Sequence, residues 1–219
     1  MARHPQWEFF WLLVRRDLKV RYAGSTLGAL WNLIHPLMLI AIYMTIFSTL
    51  MRGYRPQGGA IVDYGALSYG VHLIAGIIPW LFFSDVLIRS TGTLIENGNL
   101  LQKVSFPPGL LFVVLFFNAL LIHAAAYLIF WLALAALGQP VPGVGLAGLG
   151  VMVLLGLAGL GLGMILAGLN VFIRDTGQVL QVALQLLFWF NPIVYPRQLI
   201  FPPEPGPDGV DFFMRVGQW

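Results

Sequence analysis

The residues whose types could carry bond chemistry are few in this chain of 219 residues, and their spacing forms no catalytic motif. Cysteine is absent, which excludes a thiolate metal site and a cysteine nucleophile. Lys19 and Lys103 are the only lysines, and neither follows the glycine that a GxxxxGK[ST] phosphate-binding loop requires. The histidines are scattered without metal-ligand spacing, and we expect each to be a hydrogen-bonded side chain inside a helix: His4, His35, His72 and His123. The sequence therefore predicts no catalytic residue, no metal site and no cofactor held by this chain itself.

Two glycine patterns are better explained by helix packing than by nucleotide binding. Residues 143–148, GVGLAG, match GxGxxG, but they open a long apolar segment and no strand precedes them. Further along the same segment, Gly159, Gly163 and Ala167 place small residues at a four-residue spacing, which is typical of membrane helices in close contact. We therefore expect a packing ridge here.

Carboxylates are nearly absent from the apolar segments. Asp85 is the exception, and Arg89 follows it by one helical turn, a spacing that allows a local ion pair. Proton-coupled carriers place ionisable groups in the middle of the membrane. This class of transporter is therefore disfavoured, although His35 and His72 leave it open.

The composition determines what kind of element must position these residues. Hydrophobic residues make up 58% of the chain and charged residues 10%, and the mean hydropathy is +0.82. A soluble domain carries about 25% charged residues, so the solvent must be lipid and a soluble enzyme is excluded. The net charge of +3 is too small to indicate nucleic-acid binding.

The sequence predicts an all-α, polytopic helical membrane protein with a single transmembrane domain. A span needs about 20 apolar residues, and five segments meet this requirement: 29–51, 66–88, 109–137, 143–172 and 178–195.

Residues 5–24 precede these spans and have an amphipathic pattern. Aromatic and aliphatic residues recur at helical spacing, which is typical of a helix that lies in the headgroup plane. A solvated basic tail is the alternative. The far end of the segment is basic and is predicted to contact the interface or a lipid phosphate through Arg15, Arg16, Lys19 and Arg21.

The distribution of basic residues predicts the orientation. With a cytoplasmic N-terminus, eight Lys and Arg residues lie inside and four outside. The 89–108 loop is then cytoplasmic, and residues 196–219 lie outside. We interpret that tail as an extracytoplasmic cap or, preferably, as the end of a chain cut before one more span.

Three stretches resemble one family in order along the chain. They are RRDLKVRYAGSTLGALWNLIHPLMLIAIYMTIFSTLM (15–51), ENGNLLQKVSFPP (96–108) and LNVFIRDTGQVLQVALQLLFWFNPIVYP (169–196). They are similar to type-2 ABC transporter permeases that export polysaccharides, the O-antigen and teichoic-acid exporter group. The resemblance implies an N-terminal interfacial helix and six spans, of which the sixth is missing here.

The resemblance also implies partners, a substrate and a location. It implies a homodimer of permease subunits that binds two copies of a separate ATP-binding subunit, with ATP and Mg held by that partner. It further implies a lipid-linked glycan as substrate and the bacterial inner membrane as location. Three alternatives stay open: a type-2 permease for a drug or other lipid, a membrane enzyme acting on polyprenyl-linked sugars, and a secondary transporter.

The family's short cytoplasmic coupling helix corresponds to residues 96–104, which would dock onto the ATPase. An ordinary polar loop is the alternative, and Phe106-Pro107-Pro108 would end the helix in either case. The residues predicted to make the contact are Glu96, Asn97, Asn99, Leu100, Leu101 and Lys103.

The fifth span has the clearest polar stripe for a translocation path. Gln178, Gln181 and Gln185 lie on one helical face, and Phe188 and Trp189 continue it. Amides and aromatic rings suit a sugar chain, although hydrogen bonding to neighbouring helices is an equally simple role. The first span has a sparser set of candidates: Trp31, His35, Thr45 and Thr49.

Overall fold

The fold is helical throughout the part of the chain that the computed structural model describes. The described residues are 6–21, 24–31, 34, 38, 42, 68–103, 106–136, 138, 143–191 and 193. Within them there is no strand, and a short 3-10 helix spans Gly28–Leu30. The α-helices with described bounds are α1 (Gln6–Arg21), α2 (Ser68–Glu96), α3 (Gly98–Lys103), α4 (Gly109–Ala136), α5 (Gly143–Phe172) and α6 (Thr176–Phe190).

The second apolar segment forms a longer helix than the sequence predicts. The expected span ends at residue 88, whereas α2 continues to Glu96. The polar residues after the apolar stretch stay helical, and two of their hydroxyls bond back to the preceding turn instead of competing for backbone groups outside the helix. Thr91 Oγ1 donates to the carbonyl oxygen of Leu87 at 2.9 Å, and Thr93 Oγ1 donates to that of Arg89 at 2.8 Å.

Three of the described helical segments are long and apolar enough to cross a membrane: Leu73–Glu96, Gly109–Ala136 and Ala147–Phe172. The predicted fifth span corresponds to α6, which is apolar but has only 15 residues because Asn191 turns to an extended backbone conformation. Most of the predicted first span lies outside the described residues. Its described positions Trp31, Ile34, Met38 and Ile42 are helical.

The most extensive helix pair is α2 against α5, and small residues of α5 make the contact. Gly156 faces Phe82, Gly163 faces Ser90, and a Cβ built on Gly159 would lie 3.1 Å from Phe83 Cδ2. Ala167 is fully buried in the same row. The predicted packing ridge is therefore confirmed, since larger side chains would hold the two helices apart.

A buried polar contact supplements this packing. Asn170 Nδ2 on α5 donates to the carbonyl oxygen of Thr91 on α2 at 3.0 Å. The carbonyl oxygens of a helix are already bonded within it, so this second bond ties the two helices together near one end.

Helix α1 packs on α4 through an apolar cluster. Leu13 and Val14 of α1 are buried against Val114 of α4, and the rings of Phe10 and Phe117 are 5.7 Å apart. The chain leaves α1 through Gly24, whose φ of 78° lies in the left-handed region that glycine adopts readily. Helix α1 is therefore attached to the helical body by its apolar face.

Candidate functional site

A cavity of about 310 Å³ lies between α2 and α6. Its walls combine aromatic rings with two polar groups and a few aliphatic side chains. The lining residues are Ile77, Trp80, Leu81, Ser84, Leu184, Gln185, Phe188 and Trp189.

The aromatic rings of this cavity form a connected wall. The centroids of Trp80 and Phe188 are 6.0 Å apart, and those of Phe188 and Trp189 are 5.7 Å apart. These separations are typical of favourable aromatic pairs. The wall therefore crosses from one helix to the other.

Two polar side chains, Ser84 and Gln185, are among the lining residues of the same cavity. Ser84 Oγ is buried and has no hydrogen-bond partner among the described residues, and the Gln185 side chain is exposed. A buried hydroxyl without a partner loses free energy that a ligand could restore. The cavity can thus offer flat apolar surfaces together with hydrogen bonds.

The structure brings together only part of the predicted path. Gln185, Phe188 and Trp189 line the cavity, whereas Gln178 and Gln181 are exposed on α6 and are not among its lining residues.

The first-span part of the predicted path is described at one position only. Trp31 is exposed, and His35, Thr45 and Thr49 lie outside the described residues.

Sequence reasoning missed the α2 side of the cavity. Trp80 and Ser84 lie one helical turn apart just after Pro79, which is inside the helix. The sequence carries a signal for this side of the cavity, since a proline, an indole and a hydroxyl lie within six residues of one apolar segment. Proline leaves a backbone carbonyl without its helical hydrogen bond and bends the helix.

The turn between α2 and α4 contains the short helix α3. The backbone N–H of Leu100 and that of Leu101 donate to the carbonyl oxygen of Asn97 at 2.9 and 3.0 Å, and Asn97 Nδ2 donates to that of Thr93 at 3.0 Å. The helix ends at Lys103, before the predicted Phe106-Pro107-Pro108 stop.

The residues predicted to form the coupling contact divide into two sets. Glu96, Asn99 and Lys103 are exposed, and Asn97, Leu100 and Leu101 are half-buried. Leu100 packs against the apolar cluster between α1 and α4. This leucine therefore holds α3 against its own chain.

The basic residues at the end of α1 also fall into two groups, which differ in exposure. Arg15, Arg16 and Lys19 are exposed, whereas Arg21 is half-buried and lies 3.4 Å from Asp85 of α2.

The predicted pair of Asp85 and Arg89 is confirmed, with 3.8 Å between Oδ2 and Nη1. Arg89 makes a shorter contact of 2.9 Å to Asp17 of α1. Both Asp85 and Arg89 of α2 are therefore paired with α1.

His123 is hydrogen-bonded within its helix, as expected. Its Nδ1 lies 2.9 Å from the carbonyl oxygen of Ala119. In the described part of the chain, no three His, Cys, Asp or Glu side chains are grouped in a way that could hold a metal ion.

Comparisons with known proteins relate this chain to membrane transporters. Residues 8–204 match the family model described as ABC-2 type transporter. Similar proteins include the O-antigen export system permease protein RfbA of Klebsiella pneumoniae, which is 28% identical over 197 residues, covering 86% of this chain and 69% of that protein. The protein of the same name from Myxococcus xanthus is 30% identical over 189 residues, covering 86% and 68%.

A second kind of relative matches a shorter part of the chain. The polysialic acid transport protein KpsM of Escherichia coli is 28% identical over 125 residues, covering 55% of this chain and 45% of that protein. The long apolar helices agree with a multi-pass membrane protein. Because the family model covers most of the sequence, from residue 8 to residue 204, the chain belongs to the ABC-2 type transporter family.

Proposed function

We propose that this chain is the permease subunit of an ABC exporter that moves a lipid-linked polysaccharide, such as an O-antigen or a teichoic acid, out of the cytoplasm across the bacterial inner membrane. The observation that carries the proposal is the similarity, over 86% of the chain, to permeases named for O-antigen export. The chain moves its cargo and makes or breaks no bond in it.

The energy comes from a partner in this proposal. A separate ATP-binding subunit, present in two copies, binds ATP and Mg and acts on a homodimer of the permease. Family membership supports such a partner. The sequence given contains no GK[ST] phosphate-binding loop of its own.

The turn from α2 through α3 to α4 is the contact for this ATPase, and it faces the cytoplasm together with the N-terminus. Its exposed polar residues Glu96, Asn99 and Lys103 meet the partner. Leu100 holds α3 against the α1–α4 cluster, so a push on α3 is passed to two helices.

The cavity between α2 and α6 is part of the translocation path. Sugar rings have apolar faces and hydroxyl edges, so aromatic rings combined with an amide and a hydroxyl complement both. Trp80 and Phe188 supply the rings, and Gln185 and Ser84 supply the hydrogen bonds. Contacts of this kind are numerous and individually weak, which allows a chain to slide.

The exposed basic residues of α1 receive the phosphates of the lipid carrier. Arg15, Arg16 and Lys19 are exposed on one end of that helix, and basic side chains near a membrane surface attract anionic groups. Arg21 is engaged with Asp85 and holds the helix in place.

Reconstitution of the permease with its ATPase in vesicles tests the function. Lipid-linked polysaccharide is expected to raise the ATPase rate and to reach the far side of the membrane only when ATP is supplied. Stimulation by a drug or by a simple lipid, with no response to the glycan, would contradict the proposal. The variant Glu96→Ala is expected to lower this stimulation while the amount of inserted permease stays the same.

Two glutamines one turn apart on α6 provide a matched test of the path. Gln185 lines the cavity and Gln181 is not among its lining residues, although both are exposed. Gln185→Leu is expected to slow glycan export about fivefold through the loss of a hydrogen bond, and Gln181→Leu is expected to have a smaller effect. Equal export rates for the two variants and the wild type would show that the cavity is not part of the translocation path.

A further inference from the structure

Four charged residues link α1 to α2 in two rungs. Asp17 and Arg21 lie one turn apart on α1, and Asp85 and Arg89 lie one turn apart on α2. The first rung joins Arg89 Nη2 to Asp17 Oδ2 at 2.9 Å, and the second joins Arg21 Nη2 to Asp85 Oδ1 at 3.4 Å. We call these four residues the charge ladder.

The order of the charges makes the ladder specific for one alignment. The pairs join Asp17 to Arg89 and Arg21 to Asp85, so the paired residues follow opposite chain directions on the two helices. Each helix carries an aspartate followed by an arginine one turn later. A slip by one turn, about 5.4 Å, would therefore place Asp17 beside Asp85 or Arg21 beside Arg89.

The surroundings make these charges effective. Their side chains are between 20% and 32% exposed, so their attraction is screened less than that of fully exposed pairs. Asn118 of α4 is fully buried, and its Nδ2 donates to Asp17 Oδ2 at 2.8 Å and to the carbonyl oxygen of Val14 at 3.3 Å. A third helix thus supports the first rung.

Apolar packing alone is a weaker determinant of alignment. The α1–α4 contact consists of Leu13, Val14, Val114 and neighbouring aromatic side chains, and apolar side chains of similar size tolerate more than one arrangement. Polar groups in such contacts are best known for specifying register. The ladder supplies this specificity.

The position of the ladder suits the transfer of motion. Arg89 lies about two helical turns before the end of α2 at Glu96. The remaining turns of α2 lead from the ladder to α3. The ladder therefore lies in the half of α2 that leads to the α3 turn.

We propose that Asp17, Arg21, Asp85 and Arg89 are positioning residues that fix the axial register of α1 on the α2–α4 hairpin. With the register fixed, α1 and the α3 turn move as one unit, and movement of either is not lost by slipping. The part that concerns coupling to an ATPase rests on the proposed function, whereas the part that concerns register does not.

The test compares two variants that have the same composition and the same net charge as the wild type. Asp17→Arg with Arg89→Asp preserves opposite charges in the native register, but it also creates opposite charges after a one-turn slip. Asn118 Oδ1 has no hydrogen-bond partner among the described residues and can accept from an arginine at position 17. Reversing all four positions preserves the native pairs and again penalises the slip.

The register is measured directly by spin labels. The chain has no native cysteine, so cysteines for the labels can be placed at the exposed positions Leu12 on α1 and Ile95 on α2. Distances are recorded by pulsed dipolar spectroscopy in the reconstituted complex, diluted with unlabelled permease. Glycan exported per ATP is measured on the same preparations.

The one-rung swap, Asp17→Arg with Arg89→Asp, is expected to broaden the distance distribution or to add a second population whose distance between the labels differs by about 5 Å. It is also expected to lower glycan export per ATP about tenfold. The four-residue reversal is expected to restore a single distance and most of the export. A single native distance in the one-rung swap, or a broad distribution in both variants, would overturn the register role.

If the one-rung swap does not accumulate in the membrane, the neutral pair Asp17→Asn with Arg89→Gln replaces it. One rung then remains, and a distribution of intermediate width is expected. A distribution equal to that of the wild type would overturn the proposal. An altered register with unchanged glycan export per ATP would mean that the four residues fix the register but that the register does not contribute to coupling.

Discussion

Replacing Gly163 with valine is expected to destabilise the permease by about 3 kcal/mol. A side chain at Gly163 would collide with the Cβ of Ser90 and come within 3.3 Å of the carbonyl oxygen of Leu87. The backbone of α2 cannot move away cheaply, because Ser90 is fully buried and the neighbouring Thr91 carbonyl is bonded to Asn170.

Gly161 is the matched control for this substitution. It lies two residues away on the same helix, and a Cβ there would meet nothing within 4 Å. Gly161→Val is expected to retain most of the wild-type thermal stability, measured by the loss of the monodisperse peak in size-exclusion chromatography after heating. Equal losses for the two variants would mean that helix propensity, and not the α2–α5 contact, determines the effect.

Replacing Trp80 with alanine is expected to slow glycan export about tenfold, which corresponds to about 1.4 kcal/mol. Trp80 carries the α2 side of the aromatic wall, and its ring centroid lies 6.0 Å from that of Phe188 across the cavity. Truncation would remove a flat apolar surface from the wall of the cavity. The measurement is the rate of ATP-dependent glycan export at equal amounts of inserted permease.

Two further variants distinguish the loss of a contact in the translocation path from a general disruption of the folded structure. Trp80→Phe keeps a smaller ring and is expected to give an intermediate rate. Phe190→Ala removes a ring that is 75% exposed on α6 and does not line the cavity, so export is expected to stay near that of the wild type. An effect of Phe190→Ala as large as that of Trp80→Ala would contradict a specific role of the cavity.

The helices that the sequence predicts agree with the structure where the apolar pattern is long and uniform. The bounds Gly109–Ala136 and Gly143–Phe172 follow the apolar segments to within one residue. The end of α2 was missed because the helix continues through polar residues that tertiary contacts bury, among them Thr91, whose carbonyl oxygen accepts a hydrogen bond from Asn170, and Thr93. Hydropathy reports the preference for lipid, and it does not report such tertiary contacts.

The candidate site was predicted in part. One face of α6 was identified because a periodic pattern places Gln185 and Phe188 together. Trp80 was missed because its partner lies on a helix more than a hundred residues away in the chain. The inward packing of Leu100 was missed for the same reason, since a leucine on a short helix can face a partner or its own chain.

The sequence by itself determined that the solvent is lipid, because a chain with 10% charged residues cannot cover a soluble surface. It also determined that the elements are helices, because continuous apolar segments of about 20 residues have the length of a membrane-spanning helix. It also determined the local pair of Asp85 and Arg89, one turn apart. Only the tertiary structure decided that Arg89 bonds more closely to Asp17, at a separation of 72 residues. The physical reason is that periodicity specifies neighbours within a helix, whereas contacts between helices depend on how the helices pack together.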